Sequence, residues 1–182
     1  MKKINKYIQE RLHINKDTGN HPNHYYNYHP KTRDELKELV DKLIEERGTS
    51  ANLNDIDTSE IKNMYHLFYK SEFNGDISNW DVSNVEDMSS MFEASKFNGD
   101  ISGWNVSNVK YMGYMFAHSE FTGENGDLSD WDVRNVQFMH FMFAYSEFNG
   151  DISNWDVNNV KTMNYMFYKS PLQKNPPKWY KE

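Results

Sequence analysis

The amino-acid sequence predicts an α/β repeat solenoid, a stack of about five coils of 24 residues each with a helical cap at its N-terminal end. Three observations predict this fold. A tryptophan recurs at a nearly fixed interval, a methionine–phenylalanine marker keeps the same interval, and an amphipathic helical pattern precedes the first repeat. Each repeat is too short to bury a core by itself, so its stability must come from contacts with its neighbours.

The first marker is the string F-N-G-D-I-S-x-W, which begins at Phe73, Phe97 and Phe148 and, with three extra residues, at Phe121. We expect its glycine to supply a positive φ or a close backbone approach, and its aspartate to accept hydrogen bonds from nearby amides. The tryptophans are spaced 24, 27, 24 and 24 residues apart, at Trp80, Trp104, Trp131, Trp155 and Trp179.

The second marker, M-x-x-[ML]-F, occurs at Met64, Met88, Met112, Met139 and Met163. Within one repeat, Ile77, Trp80 and Val82 have the L-x-x-L-x-L spacing of a leucine-rich repeat strand. From Val85 onward the apolar spacing changes to i, i+3, i+6 and i+7, which predicts a short helical segment on the opposite side. The prediction is therefore a right-handed, leucine-rich-repeat-like stack, in which recurring asparagines such as Asn84 point inward and bond adjacent coils.

These markers divide the chain into an N-terminal helical cap with a His/Tyr-rich loop (1–48), the repeat solenoid (49–170) and a degenerate C-terminal capping coil (171–182). Thr32 to Arg47 is predicted to form an amphipathic helix that covers the first coil. A capping box of Thr32 and Glu35 begins this helix, and Gly48 ends it. A shorter helix is expected from Ile4 to Leu12.

The loop between the two predicted helices contains His21, His24 and His29. Three histidines so close together could ligate zinc, but no carboxylate or thiolate completes a recognisable spacing. We therefore expect a loop that is docked or mobile, and we expect no metal and no cofactor.

The charge distribution narrows the class of partner. The formal net charge of -7 divides into local balances of +2 for residues 1–48, -11 for 49–170 and +2 for 171–182. Such an acidic middle argues against direct nucleic-acid or membrane binding and suggests a basic protein partner. No signal peptide or membrane-spanning stretch is recognisable, so a cytoplasmic protein is expected.

An enzyme is not expected. The absence of cysteine excludes a thiolate nucleophile, and the seven histidines are scattered without a paired nucleophile or carboxylate set. No Walker or dinucleotide-binding glycine pattern occurs either.

Two rows of side chains are candidate binding surfaces. On the predicted strand side, an acidic row is expected at Asp57, Asp81, Asn105, Asp132 and Asp156. On the predicted helical side, an aromatic group is expected at Tyr111, Tyr114, Phe138, Phe141 and Tyr165. Each row has a plainer interpretation, a solvated face for the acidic row and lateral packing between coils for the aromatic group. The oligomeric state cannot be predicted from these patterns.

The W-x-V-S-N-V and M-x-x-M-F elements of residues 73–92 and their copies resemble the BspA-like leucine-rich repeat, over roughly residues 53–170. This resemblance implies a repeat protein that binds macromolecules, often in bacterial adhesion or host interaction. The chain departs from it in being short and in carrying a cap helix in place of a signal. We therefore expect a non-enzymatic protein–protein interaction module. The alternatives are a phage- or mobile-element-encoded inhibitor of a host defence or nucleic-acid enzyme, and a surface adhesion protein.

Overall fold

The computed structural model describes residues 26–181. Within this range, the regular secondary structure consists of helix α1, Arg33–Arg47, and a short 3₁₀ helix, Pro171–Gln173. The remaining described residues form turns joined by isolated parallel β-bridges. No helix of the described part is long and apolar enough to cross a membrane. The helix expected from Ile4 to Leu12 lies outside the described residues.

Helix α1 confirms the helix that the sequence predicts before the first repeat. The Thr32 hydroxyl accepts a hydrogen bond from the Glu35 amide at 3.2 Å. The Glu35 carboxylate in turn accepts from the Lys31 amide at 2.8 Å, one residue earlier than a regular capping box would place this bond. Gly48, with a φ of 90°, ends the helix, and its N–H donates to the Ile44 carbonyl. The buried side chains of α1 are Leu36, Leu39, Val40 and Leu43.

Backbone pairing between successive repeats runs beside the methionine marker. Parallel bridges pair the equivalent residue of each repeat with that of the next, along Asn63, Asp87, Tyr111, Phe138 and Thr162. The Met88 N–H donates to the Tyr111 carbonyl at 2.9 Å, and the Phe92 N–H donates to Met115 at 2.9 Å. Bonds also run the other way, from the Lys110 N–H to the Glu86 carbonyl at 2.8 Å. Neighbouring repeats are therefore hydrogen-bonded in register.

The helical segment expected from Val85 onward is not formed. The chain instead makes consecutive four-residue turns, in which Met91 donates to Met88 and Ser95 donates to Phe92. Ser90 and Ala94 have φ values of 53° and 55°, in the left-handed region that an α-helix excludes. The segment from 77 to 82 likewise forms no regular strand. The handedness of the stack and its leucine-rich-repeat class stay predictions.

Two columns of phenylalanine rings fill the core, because a fixed period places the same side chain above itself in each repeat. In the first column the ring centroids are 5.4 to 6.1 Å apart and the planes lie within 7° of parallel. This column consists of Phe68, Phe92, Phe116, Phe143 and Phe167. The second column, at 6.0 to 6.4 Å, consists of Phe73, Phe97, Phe121 and Phe148.

The recurring tryptophan joins each repeat to the one before it. The Trp80 indole N–H donates to the Leu53 carbonyl at 3.0 Å, and the Trp155 indole donates to Leu128 at 2.9 Å. The other three tryptophans make the same bond at 2.9 to 3.3 Å. A buried indole N–H needs such a partner, so the tryptophan serves both the core and the hydrogen bonding between repeats.

The repeated glycine and asparagine have structural roles that differ in detail from the expectation. A Cβ added at Gly75 would lie 2.0 Å from the Ala51 carbonyl oxygen, so Gly75 is required by close backbone approach and not by a positive φ. Asn84 donates to the Ser59 carbonyl of the preceding repeat at 2.8 Å, but from an exposed position and not an inward one. Its counterparts make the same bond, at Asn108, Asn135 and Asn159.

Candidate interaction surfaces

The acidic row is built from turn-forming side chains. In each of its five members a side-chain oxygen accepts a hydrogen bond from the backbone N–H of the residue two positions later, with N···O distances of 3.0 to 3.2 Å. These members are Asp57, Asp81, Asn105, Asp132 and Asp156. The recurrence of Asp or Asn at this position therefore follows from the turn, since a short side chain with an oxygen acceptor stabilises it.

Two carboxylates of the acidic row have a side-chain partner outside the row. The His29 ring Nδ1 lies 3.0 Å from an Asp57 carboxylate oxygen. Burial opposes the ionisation of Asp57, but hydrogen bonds from Ser59 and His29 outweigh it and hold its pKa below the ordinary value. Hydrogen bonds from the Arg134 guanidinium, at 2.7 and 2.8 Å, lower the pKa of Asp132.

The remaining two carboxylates of the row, Asp81 and Asp156, have no ion pair with any residue from 26 to 181. Both side chains are exposed. Within the described range, the acidic row thus presents two carboxylates without an ion pair, separated by a neutral amide at Asn105 and a paired carboxylate at Asp132.

The aromatic residues predicted on the other side do pack laterally, each on its counterpart in the next repeat. The Tyr111 and Phe138 rings stack at 5.2 Å with their planes 7° apart. Tyr114 stacks on Phe141 at 4.9 Å, and Phe141 stacks on Tyr165 at 5.1 Å. The five predicted aromatic residues lie close together. They stand next to the hydrogen-bonded backbone segments of successive repeats and not on a helix.

Much of this aromatic surface is nevertheless open to solvent. The large hydrophobic side chains of the described part that are most exposed all flank the methionine marker, at Tyr65 (43%), Tyr69 (36%), Tyr111 (42%), Tyr145 (40%) and Tyr165 (47%). We call this surface, with Tyr114, Phe138 and Phe141, the aromatic face. Tyr65, Tyr69 and Tyr145 were not among the residues predicted for this surface. Their position next to the Met and Phe of the marker was the available signal.

The backbone holds the rings of the aromatic face in place. Tyr114 and Phe141 have φ values of 58° and 56°, unusual for aromatic residues. The N–H of each donates to the next repeat, to the His140 carbonyl at 3.0 Å and to the Asn164 carbonyl at 3.1 Å. Backbone pairing and ring stacking therefore both restrict the conformations of these side chains.

A shallow groove of about 330 Å³ crosses the aromatic face at Gly113. A Cβ at Gly113 would lie 2.7 Å from the His140 ring, so the absence of a side chain there makes room for this histidine. His140 Nδ1 is buried and has no hydrogen-bond partner among the described residues. Burial lowers the pKa of His140, so the neutral ring is favoured. The groove is lined by Tyr65, Ser89, Ser90, Glu93, Gly113, Tyr114 and His140.

Lysines border the aromatic face. The Lys70 ammonium lies 5.0 Å from the centre of the Tyr69 ring, and the Lys169 ammonium lies 5.1 Å from that of Tyr145. At this distance a cation is attracted to the face of an aromatic ring. The face is therefore aromatic at its centre and basic at two of its margins.

No three His, Asp or Glu side chains of residues 26–181 lie in a group that could hold a metal ion. His29, one of the three loop histidines, contacts Asp57. His21 and His24 lie outside the described residues.

Comparison with known families assigns the chain to one of them. A family model described as Mycoplasma protein of unknown function, DUF285, matches residues 35–144 and again 118–181. The chain belongs to this family. The two matched segments overlap, as a repeated sequence allows, and together they include most of α1 and all the repeats. No curated protein and no solved structure was found to match. The family description assigns no activity, so the function is argued from the surfaces.

Proposed function

We propose that this protein is a non-enzymatic protein–protein interaction module that binds its partner through the aromatic face. The observation that carries the proposal is the set of five tyrosines, each 36 to 47% exposed, gathered on one side of the repeat stack. The resemblance of the repeats to the BspA-like leucine-rich repeat supports a binding role of this kind.

Tyrosine suits such an interface because it offers a large contact area with few rotatable bonds and a hydroxyl for hydrogen bonding. Tyr111 lies against Phe138 and Tyr145 lies against His118, at 5.2 and 4.4 Å, so their rings lose little further freedom when a partner covers them. A few such residues supply most of the binding free energy in protein interfaces.

The acidic row supports an alternative, in which a basic partner contacts Asp81 and Asp156. This version includes inhibition of a host defence or nucleic-acid enzyme through its basic surface. Adhesion to a surface protein is the other alternative, and it follows from the BspA-like resemblance. Since the carboxylates of the row already accept turn hydrogen bonds, the aromatic face is the stronger candidate.

The repeats themselves indicate how to remove the aromatic face without disturbing the fold. Tyr65→Ser, Tyr111→Thr and Tyr145→Ala install the residue found at the same repeat position elsewhere in the chain, namely Ser89, Thr162 and Ala94. We expect the triple variant to retain its thermal unfolding midpoint within a few degrees. It should lose at least tenfold of the partner recovered by affinity capture from a lysate of the source organism, quantified by mass spectrometry.

The matched control is Asp81→Asn, Asp132→Asn and Asp156→Asn, which keeps the turn-forming oxygen as Asn105 does and removes only charge. Retention of the partner by this control, with loss in the aromatic variant, is the expected result. Loss in the control with retention in the aromatic variant would establish the acidic row as the binding surface instead.

A further inference from the structure

The C-terminal end of the repeat stack has an open groove of about 680 Å³. Its apolar floor consists of Val157, Val160 and Met163, all partly exposed. The same positions one repeat earlier are Val133, Val136 and Met139, and these are at most 1% exposed. The floor is therefore core surface that the residues from 26 to 181 leave partly uncovered.

Backbone groups along this groove have no partner within residues 26–181, whereas their counterparts one repeat earlier do. The N–H groups of Met139 and Phe141 donate to Thr162 and Asn164 at 2.8 and 3.1 Å, and the Gln137 carbonyl accepts from Lys161 at 2.8 Å. The corresponding groups of the last repeat are the N–H of Met163 and Tyr165 and the carbonyl of Lys161. An exposed row of unpaired backbone groups is a template for an added extended chain.

The C-terminal segment covers only part of this end. The Trp179 indole donates to the Ile152 carbonyl at 2.9 Å, and the Gln173 side chain accepts from the Lys169 N–H at 2.7 Å. These two bonds lie outside the stretch from 157 to 165. As far as the described chain extends, the pairing groups of that stretch stay open.

The charge at the groove is positive, with Lys161, Lys178 and Lys181 among its lining residues. The repeat stack shows what complements such a lysine, because Lys110 pairs with Glu86 of the neighbouring repeat at 2.7 Å. That contact lowers the pKa of Glu86 and raises that of Lys110. The Lys161 ammonium donates to the Gln137 side-chain oxygen at 2.8 Å and has two further donors, so a carboxylate on an added chain can pair with it as well.

We propose that this groove binds an acidic segment of a partner protein, which adds a layer to the backbone pairing over residues 157–165. Three features define the segment: a backbone that follows the conformation of a repeat and accepts from Met163 and Tyr165, apolar side chains for the valine and methionine floor, and carboxylates for the lysines. The groove adjoins the aromatic face at Tyr165, but its lining residues lie outside that face, and the proposal does not depend on it.

A synthetic peptide of residues 80–92 of this chain is a suitable probe, because it has the repeat pattern and carries Asp81, Glu86 and Asp87. We expect it to bind the full chain in a fluorescence anisotropy titration. Replacing its three acidic residues by Asn and Gln should weaken binding at least tenfold. In the protein, Lys178→Glu with Lys181→Glu should do the same, while Lys70→Glu with Lys174→Glu, outside the groove, should leave the affinity unchanged.

Amide hydrogen exchange followed by NMR separates pairing from simple charge attraction. Binding should slow exchange at Met163 and Tyr165 at least tenfold. Absence of binding at millimolar peptide, or binding without this protection, would overturn the proposal. So would tighter lysine-dependent binding of an oligothymidylate, which would indicate a nucleic acid as the ligand.

The aromatic-face variant, Tyr65→Ser with Tyr111→Thr and Tyr145→Ala, should bind the peptide as the unaltered chain does. If the peptide does not bind, the capture result for the aromatic face is unaffected. If the aromatic variant retains the captured partner, which would overturn the proposed function, the peptide result is unaffected. The two proposals therefore fail separately.

Discussion

The two ends of the repeat stack are closed by different means. At the N-terminal end, α1 lays four buried aliphatic side chains over the first repeat. Arg33 Nε donates to the Tyr65 carbonyl at 2.9 Å, where an inner repeat would receive the N–H of the repeat before it. At the C-terminal end, Trp179 and Gln173 satisfy one backbone group each, and the floor at Val157 and Val160 stays partly exposed.

This difference shows that ending a repeat stack has two separate requirements. One is to cover the apolar side chains, and the other is to give the last row of backbone N–H and carbonyl groups partners. A helix meets the first requirement well because its own backbone groups are bonded internally, and arginine side chains then meet part of the second. The irregular C-terminal segment meets only part of each.

The largest difference between the ends is expected from truncating an aliphatic side chain at each. Leu39→Ala should lower the free energy of unfolding by about 2 to 5 kcal/mol, since Leu39 is 1% exposed and its removal leaves a cavity. Val160→Ala should cost about 1 kcal/mol or less, because Val160 is already partly exposed. Urea denaturation monitored by tryptophan fluorescence measures both. Equal losses would mean that the groove at Val160 is covered in solution.

A smaller difference is expected for the same hydrogen bond at the two ends. Trp80→Phe leaves the Leu53 carbonyl without its indole donor in a buried site and should cost about 1 to 3 kcal/mol. Trp179→Phe should cost less, because the Trp179 side chain is partly exposed and therefore has less buried contact area to lose than Trp80. Thermal unfolding of the two variants provides the comparison. A greater loss at Trp179 would contradict the view that the C-terminal end is the looser one.

The smallest expected effect is the pH dependence of the stability that Asp55 contributes at the N-terminal end. Burial opposes the ionisation of Asp55, but hydrogen bonds from Arg47 and Asn27 and the Arg47 charge outweigh it, so the pKa of Asp55 lies below its ordinary value. Its carboxylate therefore stabilises the cap above the pKa of an unfolded aspartate, about 4. This contribution is lost as the pH falls through the lower, folded pKa.

Asp55→Asn should accordingly lower stability at pH 7 by about 1 kcal/mol or less, as is typical of a partly exposed ion pair. The difference between the variant and the unaltered chain should shrink as the pH falls below 4, toward the lower folded pKa of Asp55. Thermal unfolding followed by circular dichroism from pH 7 to pH 2 measures it. A difference that does not shrink between pH 4 and pH 2 would show that Asp55 acts through packing and not through its charge.

Much of the structure could be predicted from the period of the sequence repeat. The spacing of Trp80 and of its counterparts predicted which side chains recur at equivalent places, and the five tryptophans do make one and the same bond. The cap helix was predicted at its beginning and end because Thr32 and Gly48 act through local hydrogen bonds and backbone conformation. The clustering of Tyr111, Tyr114 and Tyr165 followed from the repeat as well.

The local conformation within a repeat could not be predicted from apolar spacing. The i, i+3, i+6, i+7 pattern after Val85 is shared by a helix and by the observed series of turns, and only the left-handed φ at Ser90 and Ala94 distinguishes them. Non-glycine residues rarely adopt this conformation alone. Here the pairing of Ser90 with Gly113 and of Ala94 with Ala117, in the next repeat, holds it.

The sequence by itself determined the period, the cap helix and the residue that each repeat places in the core, because these depend on spacing along the chain and on local capping. Only the tertiary structure decided where backbone pairing runs, that the acidic row serves turns, and that the described residues cover the C-terminal end of the stack less completely than the N-terminal end. Those features depend on which N–H meets which carbonyl across repeats, and no pattern within a single repeat specifies that pairing.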